Sequence, residues 1–253
     1  MNKKFLSLVV LVCSLLLVNS AYATLYDFDA GTSGFTTFGT TTTNSGSVQL
    51  TAPVQGQYGC IFLDTRLNAT NFNASFDFKI GEINNPYGAD GITFAWVTAP
   101  GLGGGGGNLG FEGLSGYMVE FDTYWNSFDP GTASGYQDTN HTAVATTVSS
   151  PLAYNTCLPE MEDNRWHHVD IAFNNGLIQV QMDGTEYINY LIGGYVGFDA
   201  YFGFTGATGA SYSRQLIDNF DITVNQTAVP EPATMLLLGT GLLGLIGFKR
   251  KFR

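Results

Sequence analysis

Basic side chains are scarce over most of this sequence. Residues 24–228 contain twenty acidic residues and only four basic ones, which are Arg66, Lys79, Arg165 and Arg214. A surface with this balance of charge repels the phosphates of nucleic acids and of anionic lipids. The composition therefore disfavours nucleic acid and anionic membrane surfaces as partners and leaves uncharged ligands and metal cations.

Helical periodicity is also missing from residues 24–228, where apolar and polar residues alternate instead. The clearest predicted strands cover residues 48–50, 74–80, 91–97, 166–173, 177–182 and 217–224. Turn residues separate these runs, and residues 174–176 (NNG) and 182–184 (MDG) are typical of hairpin turns. The number and spacing of the runs predict an all-β domain built as an antiparallel two-sheet sandwich, or jelly roll.

Cysteine is rare, and no nucleophilic motif accompanies it. Cys13 lies in the N-terminal apolar segment, so Cys60 and Cys157 are the two cysteines of the predicted domain. An oxidising compartment would allow them to pair, and the sequence leaves that disulfide open. No histidine stands near an activated serine or cysteine motif, so we predict no catalytic triad and no catalytic residues.

Both ends of the chain carry targeting signals. Residues 1–23 begin with Lys3 and Lys4, continue with an apolar run over residues 5–18 and end in the small-residue pattern AYA. This order predicts a signal peptide that is cleaved after Ala23. A retained anchor is the alternative, but the apolar run is short for a membrane span.

The C-terminal segment, residues 229–253, contains a Pro-Glu-Pro motif, an uncharged run over residues 233–248 and a basic tail over residues 249–253. Apolar residues followed by basic ones predict a membrane helix with a cytoplasmic tail. The order resembles the PEP-CTERM sorting signal of Gram-negative bacteria that export polysaccharide. That resemblance implies that an exosortase-type protease cuts near Pro-Glu-Pro and that the inner-membrane anchor is transient. A permanent anchor is the alternative.

The segment that says most about function is residues 119–130, with the sequence VEFDTYWNSFDP. A period of two places Glu120, Asp122 and Tyr124 on one face of a strand, so two carboxylates emerge together. Asn126 and Asp129 follow with an amide oxygen and a third carboxylate, and such oxygen-rich groups favour calcium. The segment therefore predicts a cation site.

Residues 120–130 resemble, without a gap, the metal loop of legume-type (L-type) lectins, which is followed by a histidine. The resemblance implies a concanavalin-like sandwich that binds Ca²⁺ and a second, transition-metal ion such as Mn²⁺. It implies calcium ligands at Asp122, the carbonyl of Tyr124, Asn126 and Asp129. The implied transition-metal ligands are Glu120, Asp122, Asp129 and His141. More residues than usual separate the loop from the histidine here, so Asp138 is a rival ligand to Asp129.

Three further segments resemble the same family: residues 89–94, 107–111 and 196–211. They extend the resemblance over about residues 26–224 and imply a sugar site. In that site Asp90 accepts bonds from sugar hydroxyls, and the amides of Gly107 and Asn126 donate to the sugar. Tyr124 would stack on the sugar face, Ala210 and Ser211 would close over it, and the Ala89–Asp90 peptide would be cis.

The main hypothesis is a calcium-dependent carbohydrate-binding protein, exported to the cell surface or to an exopolysaccharide matrix, and not an enzyme. One alternative is a glycoside hydrolase of the same architecture, which requires a second carboxylate as acid. Tyr124 and Trp125 stand where such hydrolases carry that acid. The other alternative is a structural matrix or adhesion protein that does not bind sugar.

Overall fold

A computed structural model describes residues 20–82, 88–130 and 140–226. The predicted membrane helix at residues 233–248, the basic tail and Asp138 lie outside these residues. Among the described residues, no helix has the length and apolar character needed to cross a membrane. The first strand, Ser20–Tyr26, spans the predicted cleavage point after Ala23, so cleavage there would shorten that strand.

The described residues form sixteen strands, numbered in chain order, and a single turn of 3₁₀ helix at Gly106–Asn108. The strands are β1 (Ser20–Tyr26), β2 (Phe35–Gly39), β3 (Thr42–Asn44), β4 (Ser47–Thr51), β5 (Tyr58–Leu63), β6 (Leu67–Asn68), β7 (Asn71–Gly81), β8 (Gly91–Val97), β9 (Gly116–Asp122), β10 (His141–Ala145), β11 (Pro151–Asn155), β12 (Trp166–Asn174), β13 (Leu177–Met182), β14 (Thr185–Leu191), β15 (Asp199–Ala207) and β16 (Arg214–Gln226).

The strands form two eight-stranded sheets. The back sheet has the order β14-β13-β12-β7-β16-β4-β3, and β1 also pairs with β16. The front sheet has the order β11-β10-β9-β8-β15-β5-β2, and β6 also pairs with β15. The central pairs are antiparallel, including β8 with β9 and β7 with β12. The predicted all-β, antiparallel two-sheet sandwich is confirmed.

Aromatic side chains dominate the core between the sheets. Along β7, every second residue is buried, and Phe72, Phe76 and Phe78 point inward. Phe76 meets Phe204 of the front sheet edge to face, with ring centroids 4.8 Å apart. Burying each such ring contributes about 1.5–3 kcal/mol, and edge-to-face contact adds to this. The alternating apolar residues read from the sequence are thus the ones that pack the two sheets together.

Both predicted hairpin turns are confirmed. Asn175 and Gly176 connect β12 to β13 with φ values of 47° and 94°, and Asp183 and Gly184 connect β13 to β14 with φ values of 51° and 77°. Two successive positive φ angles are typical of the tight turns that match strand twist. Asn, Asp and Gly are the residues that tolerate this conformation best.

A second, smaller core lies on the outer face of the front sheet. Residues 98–115 fold back over that face, and their Leu109 and Phe111 pack on Phe62 and neighbouring side chains. The Thr205 hydroxyl donates to the Leu109 carbonyl at 2.6 Å, which fixes the loop to β15. This loop is termed the glycine loop below. Its anchoring buries polar residues of the front sheet that would otherwise face solvent.

Both cysteines of the domain are free thiols. Cys60 is buried beneath the glycine loop, where its Sγ donates to the Gly101 carbonyl at 2.9 Å. Burial raises the pKa of this thiol to about 12. Cys157 is exposed, so the disulfide that the sequence left open is not formed in this structure.

Candidate functional site

One row of paired residues crosses the front sheet at the end that carries the site. In this row Tyr58 pairs with Ala207, Ala207 with Gly91, Gly91 with Asp122, and Asp122 with His141. Side chains at directly paired positions project to the same face of a sheet. Asp122 and His141 therefore lie side by side on the outer face, next to the glycine loop.

Asp122, Asp129 and His141 converge at the end of this row. One ligand atom from each lies within 4.8 Å of the others, and Asp122 and His141 are buried. Two strands supply Asp122 and His141, whereas Asp129 comes from the loop after β9. The pairing of β9 with β10 and the loop between them thus bring these three residues to one potential cation site.

The loop after β9 is closed by its own hydrogen bonds. The Tyr124 amide donates to Oδ1 of Asp122 at 2.8 Å, and the Asn126 side-chain amide donates to the Tyr124 carbonyl at 3.2 Å. The Asn126 backbone amide donates to the Asp129 carboxylate. Because β9 ends at Asp122, Tyr124 does not continue the strand alternation as the sequence pattern suggested. It instead follows a turn stabilised by Asp122.

Glu120 is another predicted metal ligand on this face. It pairs with Ala143 and Thr93, one row deeper in the front sheet than Asp122. Its Oε1 lies 3.3 Å from Nε2 of His141, and both side chains are almost fully buried. Glu120 therefore contacts His141 from the neighbouring row.

Burial and mutual repulsion disfavour the ionised carboxylates. Burial raises the pKa of Asp122 well above its ordinary range, and the charges of Asp129 and Glu120 raise it further. Burial likewise raises the pKa of Asp129 and of Glu120. Burial alone would lower the pKa of His141, but its hydrogen bond with Glu120 and the nearby carboxylates raise it to about 9. A concentrated negative charge in a desolvated place is the environment in which a cation binds favourably.

Asp90 lies directly before β8, after a cis peptide bond to Ala89. Its amide donates to the Ala207 carbonyl at 2.8 Å, and its carbonyl accepts from the Thr123 amide at 2.9 Å. These bonds fix its backbone between β15 and the end of β9. Burial, and then the charge of Asp129, raise the pKa of Asp90 to about 7.

The Asp90 carboxylate faces glycines. Its Oδ2 is buried and has no hydrogen-bond partner among the described residues. Cβ atoms added at Gly209 and Gly106 would lie 3.2 Å and 3.9 Å from this oxygen. A Cβ at Gly107 would lie 2.5 Å from Nδ2 of Asn126, so a larger residue there would displace the Asn126 side chain. The structure thus brings Asp90, Gly107 and Asn126 to one place.

The remaining predicted sugar residues, Ala210 and Ser211, follow Gly209 at the rim. Ala210 is exposed, and its carbonyl accepts from the Gln55 side chain at 2.7 Å. The Ser211 carbonyl accepts from the Gly209 amide at 3.1 Å. This short loop is therefore held by hydrogen bonds to its backbone carbonyls, with Ala210 exposed and Ser211 half-buried.

Glu162 also lies beside this site and was not predicted from the sequence. Its Oε2 accepts from the Gly88 amide at 3.3 Å, it hydrogen-bonds the Thr123 side chain, and its Oε1 is buried without a partner among the described residues. Burial, and then the charges of Glu160 and Asp90, raise its pKa to about 7. No local pattern in the sequence relates Glu162 to residues seventy positions earlier, so only the fold could reveal it.

Two antiparallel sheets, with the candidate site residues gathered at one end of the front sheet, define a lectin-type β-sandwich. Residues 26–220 match the family model described as the legume lectin β-barrel domain. The chain belongs to this family. Residues 228–251 match the PEP-CTERM protein-sorting motif, so both resemblances predicted from sequence are confirmed.

Solved structures of lectins share the fold. The Bauhinia forficata lectin in complex with GalNAc superposes with a TM-score of 0.70 at 18% identity, covering 83% of this chain and 100% of that one. The basic winged bean lectin with Tn-antigen gives 0.68 at 18% identity, covering 81% and 98%. The VIP36 exoplasmic/lumenal domain in its Ca²⁺/Man3GlcNAc-bound form gives 0.65 at 17% identity, covering 83% and 91%. At these identities the likeness shows the fold alone.

Proposed function

We propose that this domain binds carbohydrate in a metal-dependent manner on an exported protein. The observation that carries the proposal is the convergence of Asp122, Asp129 and His141 beside Asp90, whose buried Oδ2 has no partner among the described residues. A buried acceptor without a donor is costly. A sugar hydroxyl would supply that donor.

The residues fit a divalent cation. Asp122, Asp129, the Asn126 side chain and the Tyr124 carbonyl offer the oxygen ligands that Ca²⁺ prefers. Glu120 and His141 add a carboxylate and an imidazole, which suit a transition metal such as Mn²⁺. A bound cation would compensate the charges that now raise the pKa values of these carboxylates. Because Asn126 also borders Gly107, the cation and the sugar would share one loop.

The proposed sugar contacts combine acceptors, donors and an aromatic ring. Asp90 would accept from sugar hydroxyls, while the Gly107 amide and the Asn126 side chain would donate to the sugar. Tyr124 is half-buried and would offer its ring to an apolar sugar face. Ala210 and Ser211, at the rim, would close over the sugar.

We propose binding without catalysis. Membership of a lectin family and the lectin folds of the structural neighbours favour this function. Glycoside hydrolysis requires an acid and a second carboxylate arranged around one bond, and the positions where related hydrolases carry that acid hold Tyr124 and Trp125.

The two targeting segments give the proposed location. Residues 1–23 would direct export through the inner membrane, and the PEP-CTERM motif would present the protein to an exosortase-type protease. The helix predicted at residues 233–248 would hold the chain at the membrane until cleavage. The domain would then act at the cell surface or in the exopolysaccharide of a Gram-negative bacterium.

A glycan array probed with the purified protein, with Ca²⁺ and then with excess chelator, tests the proposal. We expect binding in Ca²⁺ that chelation abolishes and that Asp90→Ala removes without changing the metal content. Asp170→Ala, an exposed carboxylate on the back sheet, is the matched control and should bind as the wild type does. Binding that persists in chelator would contradict the role of the metal, and binding by Asp90→Ala would place the sugar elsewhere.

A further inference from the structure

Tyr58 lies in the same cross-strand row as Asp122 and His141. It begins β5, pairs with Ala207 and is 40% exposed. Ala207 in turn pairs with Gly91, the residue after Asp90. Tyr58 therefore projects from the same face as the candidate site, two strand spacings or about 10 Å from Gly91.

The glycine loop links Tyr58 to the Asp90 region. A Cβ at Gly105 would lie 3.0 Å from the Tyr58 ring, so the ring packs against this glycine. The next residue, Gly106, borders Asp90, and the one after it, Gly107, borders Asn126. Three consecutive glycines thus align an aromatic ring, a carboxylate and an amide along one surface.

The segment that leads into Tyr58 is fixed to the rim of the site. The Gly56 amide donates to the Gly209 carbonyl at 3.1 Å, and the Thr208 amide donates to the Gln57 carbonyl at 2.7 Å. The Thr208 hydroxyl also donates to the Val54 carbonyl at 2.8 Å. An exposed aromatic on such a braced segment would lose little freedom on binding a ligand.

We propose that Tyr58 forms a second sugar-binding position beside Asp90, so that the site recognises two or more consecutive units of a glycan chain. The proposal rests on the carbohydrate-binding function proposed above and specifies its ligand as a chain rather than a single terminal sugar. The unit held at Asp90 would provide the polar contacts. The neighbouring unit would place its apolar face on the Tyr58 ring, where contact is largely hydrophobic.

Isothermal titration in Ca²⁺ with the methyl glycosides of galactose, mannose, glucose and N-acetylgalactosamine, and with the di- and trisaccharides of the sugar that binds, tests the proposal. We expect the wild type to bind the disaccharide about tenfold more tightly than the monosaccharide. Tyr58→Ala should abolish this gain and leave monosaccharide affinity unchanged. Tyr58→Phe, which keeps the ring, should preserve the gain.

Tyr190→Ala is the control, because Tyr190 is an exposed tyrosine on β14 of the back sheet. Its affinities should match the wild type. Equal affinity of the wild type for mono- and disaccharide would overturn the second position while leaving the proposed function intact, and so would loss of both affinities in Tyr58→Ala. Absence of binding to every sugar in Ca²⁺ would overturn the proposed function as well. If Tyr58→Ala does not fold, the proposal is tested by the wild-type affinities for the mono-, di- and trisaccharide.

Discussion

Two groups of acidic residues lie on opposite outer faces of this sandwich and differ in burial. The front cluster is Glu120, Asp122, Asp129 and His141. The back rows are the paired residues Asp170-Ser75-Asp221 and His168-Asp77-Asp218 on the back sheet. Most of the front cluster is buried, with only Asp129 partly exposed, whereas the back rows face solvent with partners of their own.

Partners satisfy the back rows without a cation. His168 Nδ1 lies 2.6 Å from Asp77 Oδ1, and the Asn219 side chain donates to Asp77 Oδ2 at 2.7 Å. Asp170 and Asp221 flank a cavity of about 240 Å³ on this face. Both faces are therefore rich in acidic residues. The front cluster differs because its carboxylates are both desolvated and convergent, and there we propose the metal site.

The largest expected effect comes from the front cluster. Asp122→Asn keeps an acceptor for the Tyr124 amide but removes a central charge, so we expect Ca²⁺ and sugar binding to be lost. In chelator, the same variant should melt at a higher temperature than the wild type, since a disfavoured buried charge is gone. Calorimetric titration and thermal melts measure both effects.

Asp221→Asn in the back rows is the matched control and should leave Ca²⁺ affinity unchanged. Equal losses of Ca²⁺ affinity in the two variants would mean that the clusters do not differ in function.

The second effect is the pH dependence of the metal-free protein. The folded-state pKa of Asp90 is raised by burial and Asp129 to about 7, and that of Glu162 by burial and Glu160 to about 7, from 3.8 and 4.5. Their stabilising protonation is complete below about pH 4 and is lost as the pH rises through 7. His141 acts in the same direction: despite burial, its carboxylate neighbours raise its pKa to about 9, and its contribution is lost between pH 6.5 and 9.

Denaturant unfolding in chelator should therefore show stability falling by a few kcal/mol between pH 4.5 and pH 9. Saturating Ca²⁺ should reduce this fall, because the charge of a nearby cation favours the ionised carboxylates. A metal-free protein that gains stability across this range would contradict the environments assigned to Asp90, Glu162 and His141.

A smaller effect is expected at the lower edge of the front cluster. Glu120→Gln removes the charge 3.3 Å from His141 and should weaken Mn²⁺ binding about 10–100-fold. Ca²⁺ affinity should change less, because Glu120 is not among the proposed calcium ligands. Competition titration of the two ions measures the difference, with Glu186→Gln on exposed β14 as control.

The smallest effect is expected from a substitution in the back rows. Asp77→Asn should return the pKa of His168 toward its ordinary value, since Asp77 contributes the hydrogen bond that opposes the lowering by burial. We expect a loss of at most about 1 kcal/mol in unfolding free energy, because His168 is half exposed. NMR titration of His168 and denaturant melts measure these changes, and reduced sugar affinity in this variant would contradict the separation of the two faces.

The strands and turns could be predicted from sequence because their signals are local. Alternation along β7 and the Asn-Gly and Asp-Gly turns depend on neighbouring residues only. The pairing of Glu120 and Asp122 on one face was likewise visible within β9. These features needed no knowledge of distant segments.

Other features depend on contacts between distant segments. The sequence did not reveal that the outer face of the front sheet is covered, because that depends on Leu109 and Phe111 folding back onto Phe62. The approach of Glu162 to Thr123 and the alignment of Tyr58 with Asp122 also arise from tertiary structure. The resemblance to lectins supplied candidate site residues because it carries such tertiary information in its motifs, and their roles stay predictions.

The residues that anchor the glycine loop are different from those proposed to bind a ligand. Leu109 and Phe111 hold the loop from below, whereas the residues proposed to meet a ligand lie on its upper edge and on adjacent turns. Substitutions at exposed positions such as Ala210 need not disturb that anchor. Ligand preference can therefore diversify among related chains while the scaffold stays the same.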